Sequence, residues 1–532
     1  MFVRTKKVKT GGKTYEYYQI VKNTYKNGQS RQKVICTLGR ADDYDPEFAD
    51  ELADTLSEFT GKVTVLSSMD DCHHVWSKEY GSVYVLEKLW DELKLTDILS
   101  TYLQGREFEF DVITAIKAMV FNRCIAAESK RSTFDWMNKD VHLPETEDLE
   151  LHHLYRSLDF LIENKEKIEN RIYENLKNLF NLDVTVVFYD CSLINMYGET
   201  PELIQYSRKG KPQALLSFVM SRDGLPISHN VLPGNTMDIN TVIDAMQDLK
   251  KRYSIGKCIF VGDRGMVSRK KLDKLEDMNF DFIVGVKSNQ WKEVKEDVLS
   301  TRGSYAKISD TLKVKKKEID GYRYIICYNP KQAERDKKIR ESVIESLEEA
   351  IEGLDPDSKK AAELYGHKYK RRFLRKLKDG TLKIDRMQIR EDEKLDGKYI
   401  LYTSTDKEDL SKREIASTYK KLSNIERSFR SLKSLQEMEP VYHHADRRIE
   451  AHVFICILAH LLERLMEKKF DKEDLDMTAA KAFEHLSRMK LTKTELKDKK
   501  FLIRTDTTEE INKVFKALHY QHPKRVQHIS EG

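Results

Sequence analysis

Two aspartates directly follow short apolar runs: Asp190 closes VTVVFYD, and Asp263 closes CIFVGD between Gly262 and Gly265. Apolar runs of this length read as buried strands, so each carboxylate is expected at a strand end, where it can face a cleft. An isolated aspartate there is more often a turn or cap residue, but two such ends in one sheet strengthen a chemical reading. A third carboxylate, Glu426, belongs to EIASTYKKLSNIERSFRSLKSL, where Ile415, Tyr419, Leu422, Ile425, Phe429 and Leu432 recur at helical spacing. Tyr419, Glu426 and Lys433 follow one another at heptad steps and so share nearly one side of such a helix. The bland alternative for Glu426 is a surface ion pair with Arg430 one turn on. Three carboxylates carried by two strands and a helix suit a pair of hard divalent ions, which favour oxygen ligands and keep waters. Two such ions activate an attacking water or hydroxyl and stabilise the leaving oxygen of an in-line phosphoryl displacement.

The elements that must position these residues are legible around them. After VTVVFYD come ALLSFVM and PISHNVLPG on either side of Asp223-Gly224, a helix over Met237 to Arg252, the strand KCIFVGD, a helix over Ser268 to Met278 and the strand DFIVGV. Strands first and then αβ alternation predict an α/β domain, a mixed sheet flanked by helices. Residues 181–286 form its first part. Residues 287–395 read as an α+β insertion, with the hairpin LKVKKKEIDGYRYIICYN and a charged helical stretch from Gln332 to Leu377. The domain resumes over 396–468 with the strand DGKYILYTST, the helix from Ser411 to Leu435 and an apolar helix from Ile449 to Met466. Ahead of it stand a β unit over 1–62, with two β-rich runs around Asn27-Gly28, and a helical module over 75–180. A helical tail over 469–532 closes the chain.

The signature around Glu426, YKKLSNIERSFRSLK, resembles the Y-x2-R-x3-E-x6-K motif of the insertion-sequence DDE transposases. Tyr419, Glu426 and Lys433 match it, and Leu422 stands where the motif has arginine. YDCS, SRDGLPISHNVLPGNTMD, VGDRGMVS, YNPKQAERD and PVYHHADRRIEAHVFICILA resemble the same family in the expected order, spanning Asp183 to Leu465. The resemblance implies a ribonuclease-H-like catalytic domain with Asp190, Asp263 and Glu426 as catalytic and metal-binding carboxylates, and two Mg²⁺ or Mn²⁺ ions as cofactors. It implies double-stranded DNA as partner, both the terminal inverted repeats and the target, with a homodimer assembled on paired ends. The β unit and helical module would then bind the DNA ends, and Tyr419, Arg430 and Lys433 would contact DNA near the scissile phosphate. Trp291, the single tryptophan between Asp263 and Glu426, is the candidate for stacking on a base swung out of a hairpin intermediate, against the commoner role of a packing residue.

Composition narrows the alternatives. With 34% charged and 40% hydrophobic residues over 532 positions, the chain is globular and long enough for several cores. Its 93 Lys and Arg against 88 Asp and Glu leave a net charge of only +5, so bulk charge singles out no partner. Seven scattered cysteines without a CxxC pair read as reduced thiols, and no stretch suits a signal peptide or a membrane span, which predicts a cytoplasmic protein. Cys72, His73 and His74 lack a second ligand pair at zinc spacing, and His443, His444 and His452 are assigned to no metal. The basic run from Lys368 reads as a solvated helix face or as phosphate contacts. The competing readings are a nuclease or integrase on the same scaffold and a transposase-derived DNA-binding protein that has lost its chemistry.

Overall fold

The structure is a computed structural model that describes residues 2–26, 29–44, 72–180, 185–197, 202–206, 211–236, 238–253, 258–263, 268–286, 294, 298, 303–406, 408–496 and 499–529. The chain divides into two compact units, one of Met1–Val75 with Thr494–Phe501 and Ile529–Gly532, the other of Trp76–Lys493 with Leu502–His528.

In the first unit β1 (Phe2–Thr10), β2 (Lys13–Lys26) and β3 (Gln29–Arg40) form an antiparallel meander. The pairing of β2 with β3 ends at Lys26 and Gln29, as the two β-rich runs predict. β1 goes beyond the sequence reading, because its lysines hide the alternation; the turn into β2 uses Gly11 and Gly12 at φ +59° and +79°, a conformation glycine adopts freely. Across the meander Arg4 donates to Gln19 and Gln32, and Gln19 donates to Thr37 (3.1 Å).

The second unit opens within β4 (Cys72–Glu79), whose Ser77 accepts from Thr492 at 3.1 Å. Its frame is a large mixed sheet. β5 (Val186–Asn195), β6 (Gln205–Tyr206), β7 (Pro212–Ser221), β8 (Pro226–Pro233), β9 (Cys258–Gly262) and β10 (Phe280–Val286) come first, then β11 (Ala306–Ser309), β12 (Leu312–Ile319) and β13 (Tyr322–Tyr328). A small separate hairpin, β14 (Leu374–Lys376) and β15 (Leu382–Ile384), precedes β16 (Lys398–Thr403), which rejoins the sheet. The sheet order is β11-β12-β13-β16-β10-β9-β5-β7-β6, with β8 also on β7. Its centre, β8-β7-β5-β9-β10, has β5, β9 and β10 parallel and β7 and β8 antiparallel, which is the ribonuclease-H-like arrangement.

Helices cover both faces of this centre. On one, the Tyr189 hydroxyl meets Thr241 of the helix Asp238–Tyr253. On the other, Phe218 of β7 packs against Phe429 (ring centroids 5.8 Å) and His460 (6.4 Å). His460 belongs to the helix Asp446–Lys472, which is buried along most of its length by the sheet and by the helices Val112–Ile125 and Leu151–Glu163. That explains why its sequence is apolar on all sides, and why it outruns the expected Ile449 to Met466. Among the described residues no helix is long and apolar enough to cross a membrane.

The segment between β10 and β16 departs from the expected pattern. Its hairpin turns at Asp320 and Gly321 (φ +51° and +81°) as expected, and β11, β12 and β13 extend the sheet through β16. The charged stretch is not one helical region. It breaks into Pro330–Ile351 and Lys359–Gly366, then the β14-β15 hairpin, around a small core of Leu347, Ala361, Phe373, Leu374 and Leu382. Gly353 at φ +65° and the following Pro356 end the first helix. The basic run from Lys368 is accordingly a short helical turn and a strand. The tail is likewise not purely helical. Between the helices Ala479–Leu486 and Glu509–Leu518 lie β17 (Lys490–Leu496) and β18 (Lys499–Arg504), whose LTKTEL and KKFLIR have strand patterning that the lysine content obscures.

Candidate active site

β5 and β9 run side by side in parallel, pairing Val186 with Ile259, Val187 with Phe260 and Phe188 with Val261. The same offset carried two residues further sets Asp190 beside Asp263, so strand register brings the two predicted carboxylates together. Asp190 is not at a strand end as its sequence suggests. β5 continues to Asn195, paired throughout with β7, because residues 191–195 keep an apolar partner strand although they are themselves mixed. Asp263 does sit just past the end of β9.

Glu426 reaches the same region from above. Asp190 is cross-strand partner to Phe218, and such partners project to one face of a sheet. Phe218 touches Phe429, one turn after Glu426 on the helix Ser423–Arg430, so this helix covers the face that carries Asp190. Ile425, Ser428 and Phe429 form its buried side and Glu426 is exposed. A cleft of about 300 Å³ is lined by Asp263, Glu426, Tyr419, Lys420, Leu422, Ser423, Tyr399, Gly285, Val286 and Ile400. The Tyr419 hydroxyl donates to Asp263 Oδ1 at 3.3 Å, and its ring stacks on Tyr399 at 6.0 Å. Burial raises the Tyr399 phenol above its ordinary range, as does nearby Cys327, so it stays neutral.

The expected single helix is in fact three pieces: Lys412–Lys420, Ser423–Arg430, and a π-helical turn over Ser431–Leu435. The breaks take Lys433 away from a strict heptad line. Its Nζ donates to the Leu193 carbonyl on β5 and lies 3.9 Å from Glu439. Arg430 is exposed at the helix end, and among the described residues Glu426 has no ion pair with it. Trp291 lies outside the described residues. Lys420, which stands beside the signature tyrosine as a source of positive charge, lines the cleft, and so does Tyr399, which the sequence did not single out. Tyr399 reads as one more core residue in KYILYT, and only its place beside β10 reveals it. His73 and His74 lie on β4, with His74 Nδ1 3.1 Å from the Thr494 hydroxyl, and His452 is buried against the Met438 carbonyl (3.2 Å).

A ribonuclease-H-like sheet with aligned aspartates and a glutamate on the covering helix has its counterpart in sequence: residues 185–462, more than half of the chain, match the family described as the transposase DDE domain. The chain belongs to that family. Residues 3–68 match the N-terminal domain of IS1634 family transposases, which makes it an insertion-sequence DDE transposase. Among solved structures it is similar to the piggyBac transposase in a synaptic complex with hairpin DNA, at 11% identity, covering 77% of this chain and 79% of that one with a TM-score of 0.38. It is also similar to the Mos1 transposase paired-end complex with the left transposon end, at 13% identity, covering 45% and 67% with a TM-score of 0.15. No curated protein matches.

Proposed function

We propose that Asp190, Asp263 and Glu426 are the catalytic carboxylates of this transposase and that they hold two Mg²⁺ or Mn²⁺ ions for cleavage and strand transfer at terminal inverted repeats. The observation that carries the reading is the alignment of Asp190 with Asp263 across β5 and β9, beneath the helix that bears Glu426. The donors suit hard ions: the cleft offers carboxylate and hydroxyl oxygens, with neither thiol nor imidazole among the described residues of its lining. Among the described residues no three acidic, histidine or cysteine side chains are close enough to hold one ion together. Ions of this kind retain several waters and need only one or two carboxylates each, so Asp190 with Asp263 suits one and Glu426 a second. When bound, the ions supply activation of the attacking water or 3′-hydroxyl and charge stabilisation at the scissile phosphate.

The chain's own residues do the rest. The Tyr419 hydroxyl orients the Asp263 carboxylate, and the Tyr399 ring walls the cleft. Lys420, Arg430 and Lys433 add positive charge for the phosphates of double-stranded DNA. The partners in this reading are transposon ends and target DNA, engaged by a homodimer on paired ends.

The test is cleavage of an end-containing duplex with Mg²⁺ beside a gel-shift assay. Asp190→Ala, Asp263→Ala and Glu426→Ala should each abolish cutting and leave binding largely intact. Normal cutting by any one variant removes that residue from the set.

A further inference from the structure

The strand that carries Asp190 continues to Asn195. It runs into Tyr197, whose ring stacks on Tyr442 with centroids 5.0 Å apart and planes inclined by 27°. Both rings are open to solvent, at 61% and 63% exposure, among the highest values for any large hydrophobic side chain described. A solvent-facing aromatic pair gains little from burial, so packing alone does not account for it.

The pair is held from below. Met196 bridges to Val441 in parallel fashion, the Tyr197 amide donates to the Val441 carbonyl (2.8 Å), and the Val441 amide donates to the Asn195 carbonyl (3.2 Å). The Asn195 amide in turn donates to Glu439 at 2.7 Å. These bonds tie the two segments together through their main chains, so neither ring is needed to hold them. The path from Asp190 to Tyr197 along β5 is roughly 23 Å at ~3.3 Å per residue. That is a distance which a DNA strand several nucleotides long spans.

We propose that Tyr197 and Tyr442 form a stacking platform for an unpaired base of the DNA strand that enters the active site, resting on the transposase reading above. Every nucleobase offers a π-face, so the outer face of a stacked, solvent-facing ring pair binds strands without regard to sequence. Duplex DNA keeps its bases stacked on one another and gives the platform nothing to hold. The platform thus favours opened strand ends over intact helix.

The experiment measures binding of a fluorescently labelled single-stranded oligothymidylate and of a blunt duplex of equal length to the full chain, by anisotropy. Tyr197→Ala and Tyr442→Ala should each weaken the single-stranded probe about tenfold, a typical loss for one stacked base. Duplex affinity and the thermal midpoint should not change. Tyr197→Phe and Tyr442→Phe, which keep the ring, should bind as the unaltered protein does. Equal losses on both probes, a loss matched by a lowered thermal midpoint, or no loss on the single strand overturns the platform. So does an unaltered protein that binds duplex and ignores the oligothymidylate. If the unaltered protein binds neither DNA, the transposase reading itself fails.

Discussion

Tyr419 touches two things at once: its hydroxyl donates to Asp263 and its ring lies on Tyr399. A group that orients a metal-binding carboxylate tunes metal affinity, and losing one typically costs about 10–100-fold. Tyr419→Phe keeps the ring contact and removes only the hydroxyl. We expect the Mg²⁺ concentration for half-maximal cleavage to rise about tenfold, with the thermal midpoint unchanged; an unaltered Mg²⁺ titration sinks the orienting role. Lys433 gives a second residue-scale test. One of its ammonium hydrogens is committed to the Leu193 carbonyl, which leaves donors for a phosphate. Lys433→Ala should lower the salt slope of DNA binding by about one, and a slope that does not move reduces Lys433 to a tie between its helical turn and β5. Asp190, Asp263 and Glu426 stand out in the sequence because apolar runs or an apolar stripe frame them. Tyr399 does not, because an aromatic inside KYILYT has the same pattern whether it faces core or cleft.

At the scale of elements, the apolar stripe is buried at Ile415, Leu422, Ile425, Phe429 and Leu432 as the sequence predicts and half-buried at Tyr419, yet the helix beneath it is interrupted. Periodicity reports which residues face the sheet and is blind to a turn that keeps them facing it. The capping box of Ser411 and Glu414 fixes the start of the first piece, and the break at Lys421 and Leu422 lets Tyr419 and Glu426 line one cleft. Gly397, just before β16, is a position where conformation is forced. Its φ is +62°, and an added Cβ would lie 2.4 Å from the Asn329 carbonyl oxygen and 2.7 Å from the Ala333 Cβ. Its amide also donates to Asp336 (2.9 Å), joining β16 to the helix Pro330–Ile351. Gly397→Ala should destabilise the protein by about 2–4 kcal/mol through strain and overpacking together. Because Tyr399 lies two residues on, cleavage should fall as well. Thermal unfolding checks this, and an unshifted midpoint would show that the backbone relaxes at no cost.

Across the whole molecule, helical module and sheet are joined by buried charge that no sequence pattern announces, since Lys165, Glu169, His229 and Arg252 lie on three separate elements. Glu169 lies 2.9 Å from His229 Nδ1, 2.8 Å from Arg252 and 3.6 Å from Lys165. Burial pushes its carboxyl up, and the surrounding Lys165, His229 and Arg252 outweigh that and hold it at about 2. Burial, then Lys165, pushes His229 down to about 4. Elsewhere in the same unit burial, followed by Lys130 and Arg448, pushes His443 down to about 3. A histidine whose folded pKa is depressed binds a proton in the unfolded chain first. Each therefore leaves stability intact above about pH 6.5 and erodes it as pH falls toward the folded value. Burial, followed by Arg123 and Lys130, also pushes His452 well down, so with three such histidines stability should drop by up to ~4 kcal/mol per pH unit between about pH 6 and pH 4. Glu169, depressed in the folded state, adds its own loss only at lower pH, as it begins to protonate in the unfolded chain. Urea unfolding of the DNA-free protein across this range measures the slope. His443→Gln removes one of these titrating rings and should lower the slope between pH 6 and pH 4 by up to ~1.4 kcal/mol per pH unit, and a slope left unchanged would show that His443 is charged, or exposed, in the folded chain.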